Sequence, residues 1–260
     1  MSHAFSPMPS KRSWSLADAG VKRQKGASMS INIIYNQSHP LALEFKNLKG
    51  PFQTHCLQSN RDKDFSHDHL HNFLDSLSSD TEYIFDFTLL SDSLKDTWLE
   101  KLTSRYQVVS DTTCNWGEFL CEKYESLTAV CSLSFYSPKK KVEVYSKSTT
   151  EERVLSDLEK ILSALELSSY NVSSAGHGFT YPRTVSTLIN EAYFALEDEL
   201  ATREDMDQAM SFGVNYPHGL FAWSKKIGIK PILMLLQSLH SQTGDPRYRS
   251  APLLMRESLK

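Results

Sequence analysis

Three histidines alternate with other residues early in the chain, at His67, His69 and His71. On a helix, His67 and His71 would share one face, a spacing that suits two ligands of a metal ion. The sequence offers no second group of metal-binding residues that would complete the coordination. We therefore predict the solvated start of a helix here, and no metal site.

Other single residues could also carry chemistry. His177 could act as a general base, because imidazole titrates near neutral pH, although a loop histidine in solvent is the favoured interpretation. The lysines at 139–141 could bind phosphates, but a solvated turn between strands is favoured. Nothing near Cys114 lowers its pKa, so we expect an unreactive thiol.

The composition of the 260 residues is typical of a globular protein, with 40% hydrophobic and 23% charged residues. A formal charge of −3 provides no basic field for nucleic acid or an anionic membrane, and no apolar run is long enough to span a bilayer. Four cysteines without paired metal spacing indicate reduced thiols, so we expect a cytoplasmic location. Residues 1–28 are expected to be a disordered tail. Its basic residues leave open a transit peptide, or a mis-assigned start with Met29 as the true beginning.

Short apolar runs then alternate with segments of helical periodicity. Strands are predicted at Ile31–Ile34, Tyr83–Leu90, Val108–Val109, Ala129–Tyr136 and Val142–Tyr145. Helices are predicted at His69–Leu77 and, from the spacing of four apolar residues, around Leu94, Trp98, Leu99 and Leu102. This alternation indicates parallel βαβ units and an α/β domain.

The second half of the chain reads as helical. Thr149 and Glu152 fit a capping box before the next helix, and the polar stretch at 167–178 marks a boundary. We therefore divide the chain into an α/β domain at residues 29–175 and a helical domain at 176–260. In the latter, Thr202 is expected to cap one helix, and Pro231 to start another that ends before Gly244.

A series of short motifs in the helical half resembles the C-terminal domain of 3-hydroxyacyl-CoA dehydrogenases. They occur in the family's order: Gly178-Phe179, Arg183, Asn190–Ala192, Glu204–Asp207, Tyr216–Phe221, Gly228, Asp245–Tyr248 and Pro252–Leu254. The resemblance continues upstream at Ser110–Cys114, Ser134–Pro138 and Val142–Val144. It implies a shortened Rossmann-like N-terminal domain followed by an all-α dimerisation domain, a homodimer, and an acyl-CoA ligand in fatty acid metabolism.

The resemblance also implies where catalytic residues would lie. They are Thr113 in the place of a serine, Ser134 in the place of the histidine base, and Glu143, which in the family orients that histidine. A serine hydroxyl lacks the basicity of imidazole. The family's asparagines are replaced by Ser137 and Pro182. The chain therefore resembles a divergent member without its catalytic histidine.

The cofactor loop departs from the family as well. In the family, the first strand is followed by Gly-x-Gly-x-x-Gly, which lets the backbone approach the pyrophosphate of NAD. Here Tyr35, Gln37 and Pro40 stand at the glycine positions. We therefore assign no cofactor-binding residues, and NAD is expected only if the protein is an active enzyme.

Two hypotheses follow from these departures. The favoured one is a catalytically impaired family member that binds an acyl-CoA or a protein. The alternative is an active NAD-dependent oxidoreductase that converts (S)-3-hydroxyacyl-CoA to 3-oxoacyl-CoA.

Overall fold

The computed structural model describes residues 31–57, 73–77 and 81–259. The predicted tail at 1–28, the histidine run and the first part of the predicted helix at 69–77 lie outside the described residues. Of that helix, residues 73–75 are described and are helical.

Seven strands form one sheet in the order β2-β1-β3-β4-β5-β6-β7. Neighbouring strands are parallel except for β5 and β6, which are antiparallel. The α/β prediction is confirmed. The strands are β1 at Ile31–Asn36, β2 at Phe52–Leu57, β3 at Tyr83–Phe87, β4 at Gln107–Asp111, β5 at Leu127–Cys131, β6 at Lys141–Ser146 and β7 at Ser168–Asn171.

Besides the helical stretch at 73–75, the described residues form four helices beside this sheet: α1 at Ala42–Lys46, α2 at Asp92–Thr103, α3 at Gly117–Lys123 and α4 at Glu152–Ala164. Trp98, Leu99 and Leu102 of α2 are fully buried, as their helical spacing predicts. All residues of β1 are buried because this strand lies between β2 and β3 under covering helices.

Several sequence expectations need correction. The strand expected at Tyr83–Leu90 ends at Phe87. The strand β2 was not predicted, because its sequence contains no apolar β-branched residue. The strand expected at 129–136 ends at Cys131, and Leu133–Phe135 form a 3₁₀ turn. The prediction of a capping box at Thr149 is wrong. Glu151 is the N-cap of α4, and its side chain makes no capping hydrogen bond. The preceding turn is joined to the sheet by Thr150, whose hydroxyl donates a hydrogen bond to the carbonyl of Thr128.

The C-terminal region is helical, as expected, with α5 at Tyr181–Glu197, α6 at Arg203–Gly213, α7 at Leu220–Ile227, α8 at Ile229–Thr243 and α9 at Pro252–Glu257. Thr202 caps α6 by accepting a hydrogen bond from the Asp205 amide at 3.2 Å, which confirms that cap. The helix α8 starts at Ile229, two residues before the expected Pro231, and ends before Gly244 as predicted. Gly244 has a φ of 65°, a conformation that glycine adopts without strain.

Two layers of apolar side chains hold the sheet to its helices, and a further cluster surrounds α8 in the helical region. Among the described residues, none of the helices has the length and apolar character needed to cross a bilayer. The boundary between residues 175 and 176 remains a prediction.

Candidate functional site

The carboxyl ends of three parallel strands bring polar residues together at one edge of the sheet. The strand β4 ends in Asp111, the turn after β5 carries Ser134, and the loop after β1 carries His39. In open parallel sheets this edge is where ligands bind. The site is therefore assembled from segments that are far apart in the chain.

Asp111 is the centre of this cluster and is buried. Its Oδ1 accepts hydrogen bonds from the backbone amide of Thr113, at 2.9 Å, and from the Thr113 hydroxyl. Its Oδ2 accepts from the backbone amide of Ser134, at 2.6 Å, and from the Ser134 hydroxyl. Both carboxylate oxygens are thus fully engaged within the protein.

His39 supplies a further donor to Asp111. Its Nδ1 accepts a hydrogen bond from the backbone amide of Leu41 at 3.0 Å, so the ring hydrogen is on Nε2. Nε2 lies 3.2 Å from Oδ2 of Asp111. Burial acts to raise the pKa of Asp111, but the hydrogen bonds from His39, Ser134 and Thr113 outweigh it, and the net pKa is lowered. Asp111 is therefore held as a carboxylate.

The structure brings two of the three predicted catalytic residues together. Thr113 and Ser134 meet at Asp111, and both are almost completely buried. Their hydroxyl hydrogens are directed at a carboxylate.

Glu143, the third predicted catalytic residue, has other hydrogen-bond partners. Its carboxylate accepts the backbone amides of Thr180, at 3.3 Å, and Tyr181, at 3.0 Å, at the start of α5. Burial, together with the nearby Glu143, raises the pKa of Tyr170 to about 12. Within the described part of the chain, no hydrogen bond joins Glu143 to Ser134. Glu143 caps a helix, as an anion does favourably at a helix N-terminus.

The turn after β1 does not fit the phosphates of a dinucleotide. Tyr35 belongs to the strand and packs its ring against Phe45, with centroids 5.0 Å apart. The Asn36 side chain donates to the carbonyl of Leu89 at 2.9 Å and accepts its amide at 3.0 Å, which ties β1 to the end of β3. The helix α1 has only five residues, and its N-cap makes no side-chain bond.

Sequence reasoning missed two members of this cluster. Asp111 was noted only as part of the Ser110–Cys114 motif, and His39 was not singled out. A polar residue at the carboxyl end of a buried strand is a signal that could have identified Asp111. His39 is 72 positions from its partner Asp111, and no local pattern indicates that contact.

The interpretation of His177 as a solvent-exposed loop residue is wrong. His177 is buried, its Nε2 lies 2.7 Å from Ser238 Oγ, and its ring stacks on Trp116. Burial lowers the pKa of His177. It does not reach the Asp111 cluster through any hydrogen bond among the described residues.

Lys140 and Cys114 lie in the surroundings that the sequence predicts. Lys140 pairs with Glu166 at 2.7 Å and is exposed, as in a solvated turn. Cys114 is buried, and burial raises the pKa of its thiol, so it is not a reactive nucleophile. Among the described residues, no group of three or more histidine, cysteine or acidic side chains could hold a metal ion.

A cavity of about 410 Å³ opens beside Ser134, between the sheet and the helical region. Leu41, Tyr136 and Trp223 contribute apolar surface, Lys140 and Lys226 contribute positive charge, and Glu44 contributes negative charge. Lys226 Nζ lies 2.9 Å from Nε2 of His218, which also lines the cavity. The arrangement can hold an anionic ligand with an apolar part.

Comparison with known proteins gives the family of the helical region. Residues 178–258 match the family described as "3-hydroxyacyl-CoA dehydrogenase, C-terminal domain". The 3-hydroxyadipyl-CoA dehydrogenase of Escherichia coli is 46% identical over 77 residues, which are 30% of this chain and 16% of that protein. The 3-hydroxybutyryl-CoA dehydrogenase of Clostridioides difficile is 30% identical over 128 residues, 48% of this chain and 45% of that protein. The chain thus covers less than half of the length of either relative.

Solved structures share the fold over most of the chain. The (S)-3-hydroxybutyryl-CoA dehydrogenase of Ralstonia eutropha superposes with a TM-score of 0.56 at 17% identity, over 88% of this chain and 93% of that one. FadB2 of M. tuberculosis superposes with a TM-score of 0.59 at 13% identity over the same shares. Residues 178–258 are thus similar to the C-terminal domain of 3-hydroxyacyl-CoA dehydrogenases, and the chain shares the fold of solved members of that family.

Proposed function

We propose that this chain is a catalytically impaired member of its family, which binds an acyl-CoA or a protein partner instead of oxidising a 3-hydroxyacyl-CoA. The observation that carries the proposal is the closed hydrogen-bond set around Asp111. This set engages the hydroxyls of Thr113 and Ser134, two of the three residues predicted to be catalytic.

Oxidation of a hydroxyl requires a base that takes its proton, with a pKa matched to that task. Ser134 and Thr113 instead donate to a carboxylate whose pKa is lowered. Glu143 is bound to two backbone amides. Loss of a general base costs a factor of about 10²–10⁴ in rate. The three predicted catalytic positions therefore supply no free base.

The cofactor side supports the same proposal. NAD would supply the hydride acceptor if it bound, but its pyrophosphate needs a glycine turn and free amides at a helix N-terminus. In this chain the corresponding turn carries the buried Tyr35 and the Asn36–Leu89 hydrogen bonds. We expect no saturable NAD binding.

Acyl-CoA binding is supported by the cavity beside Ser134. Lys226 would meet the negative charge of the ligand, and the apolar wall would meet the acyl chain. We further propose that the chain forms a homodimer through its helical region, where several large apolar side chains are exposed: Leu200, Phe212, Val214, Met255 and Leu259.

The test combines binding and turnover on the purified full chain. Isothermal titration with NAD, NADH and acetoacetyl-CoA is paired with an assay of NADH oxidation by acetoacetyl-CoA, with an active dehydrogenase of the family as positive control. We expect acetoacetyl-CoA to bind while NADH neither binds at millimolar concentration nor is oxidised. Clear NADH turnover would establish the alternative, an active oxidoreductase.

A matched pair of variants locates the acyl-CoA site. Lys226→Ala removes a charge that lines the cavity, whereas Lys225→Ala removes a neighbouring exposed charge outside it. We expect the first variant to weaken acetoacetyl-CoA binding by about tenfold, a typical loss for one charged contact, and the second to leave it unchanged. Equal effects of the two variants would contradict this location.

A further inference from the structure

We propose a second binding site, which takes an uncharged ligand with an aromatic ring and hydrogen-bonding groups. It is a cavity of about 760 Å³ between α2, α3 and α8, with Cys114 in its lining. The inference does not rest on the proposed acyl-CoA site.

Exposed aromatic residues line this cavity. Trp116 and Phe119 are 46% and 50% exposed, and their ring centroids are 5.7 Å apart. Large aromatic rings are normally buried in a core, and where they remain exposed in a concave site they offer a stacking surface to a ligand. Leu120 and Met234 extend the apolar surface. A flat ring therefore fits this wall.

The charges of the cavity exclude an anionic ligand. The charged residues that line it are Asp92 and Asp96, with no lysine or arginine among the described lining residues. The carboxylate of Asp92 accepts hydrogen bonds from Nδ2 of Asn115, at 2.9 Å, and from the Ser238 hydroxyl. Asp96 pairs with Lys123 at 2.6 Å. An anionic ligand would meet no lysine or arginine in the lining and would be repelled by the carboxylate of Asp92, whose partners are neutral. Both carboxylates already have partners within the protein, so the lining does not call for a cationic ligand.

Neutral polar groups complete the lining. The cavity is lined by Gln237, Ser241 and Gln242 of α8 and by Ser91 and Ser93 at the start of α2. In the described part of the chain, the side chains of the three α8 residues make no hydrogen bond within the protein. Amides and hydroxyls of this kind recognise neutral donors and acceptors. The ligand therefore carries hydrogen-bonding groups as well as a ring.

The wall is held in place before a ligand arrives. His177 stacks on Trp116 with an angle of 8° between the rings and centroids 6.1 Å apart. His177 also bonds to Ser238, whose hydroxyl donates to Asp92. These contacts connect Trp116 and Asp92 to Ser238 on α8. A preorganised wall lowers the entropy cost of binding.

Two pairs of probes test the ligand class on the full chain by isothermal titration. They are adenosine with adenosine 5′-monophosphate, and indole-3-acetamide with indole-3-acetate, so that the members of each pair differ mainly by an anionic group. We expect saturable binding of at least one neutral probe and about tenfold weaker binding of its anion. Failure of both neutral probes at millimolar concentration, or equal binding of neutral and anionic partners, overturns the proposal.

A variant pair on α3 locates the binding. Phe119→Ala removes half of the aromatic wall, while Glu122→Ala changes an exposed residue of the same helix outside the cavity. We expect the first to weaken binding of the neutral probe at least about tenfold and the second to leave it unchanged. Unchanged binding by Phe119→Ala overturns the location. Acetoacetyl-CoA binding should be the same in both variants, which separates this site from the acyl-CoA site.

Discussion

Asp111 determines what its neighbours can do. A carboxylate that accepts four hydrogen bonds from Thr113 and Ser134, and faces a fifth donor on His39, fixes those groups as donors. A hydroxyl committed to a buried carboxylate is a poor base. At the scale of single residues, the hydrogen bonds of this cluster join the segments that follow β1, β4 and β5.

The first prediction concerns Asp111→Asn. The amide retains the volume but offers one acceptor oxygen instead of two, so buried donors lose their partner, and we expect a loss of about 2–4 kcal/mol in the free energy of unfolding. Chemical denaturation at pH 7 measures it. Asp96→Asn, which changes a partly exposed ion pair, should cost far less.

The stability difference between wild type and Asp111→Asn should also depend on pH, in a direction that the pKa of Asp111 determines. The folded-state pKa of Asp111 is lowered, so its carboxylate stabilises the fold above the unfolded pKa of about 4, and this stabilisation is lost as the pH falls through the folded pKa. The difference in stability between wild type and Asp111→Asn should therefore narrow in acid. A difference that stays constant down to pH 3 would contradict the role given to this carboxylate.

At the scale of elements, Glu143 connects the sheet to the helical region. It lies on β6 and accepts two amides at the start of α5, so one side chain positions the long helix. The second prediction separates this role from catalysis. Glu143→Ala should lower the free energy of unfolding by about 1–3 kcal/mol, and Glu143→Gln, which keeps an acceptor oxygen, by less.

Thermal and chemical unfolding of the two variants measure this difference. Glu166→Ala is the control, because Glu166 is exposed and paired only with Lys140, and it should leave stability unchanged. Wild-type stability in Glu143→Ala would show that the cap contributes nothing, and would reopen a catalytic role for this residue.

Elements that depend on local sequence signals can be predicted from the sequence, whereas those that depend on long-range contacts cannot. The helix α2 and the end of α8 were predicted because a buried helix face and a left-handed glycine leave local signals. The strand β2 was missed because its stability comes from pairing with β1, which no local pattern reports. The contact of His39 with Asp111 is likewise long-range. By contrast, the motifs around Thr113 and Ser134 pointed to one site, and the structure joins these residues.

At the scale of the whole molecule, the chain combines a seven-stranded sheet with a helical region, and the apolar cluster of that region also includes Leu89, Cys114 and Phe135. The helical region carries the family match, whereas the polar edge of the sheet has the departures from the family. Function in this protein is therefore expected to depend on binding surfaces and cavities, because the fold is kept while the predicted site residues are committed to structure.

The last prediction is the homodimer. Phe212, at the end of α6, is 86% exposed, and an apolar ring of this size in water favours association. Multi-angle light scattering of the purified chain at micromolar concentration should give twice the mass of one chain. Phe212→Ser should raise the dimer dissociation constant by about tenfold or more, as the loss of an aromatic contact at an interface does. Leu43→Ser is the control, because Leu43 is also exposed but lies on α1 in the sheet domain. A wild-type monomer, or equal effects of the two substitutions, would contradict dimerisation through the helical region.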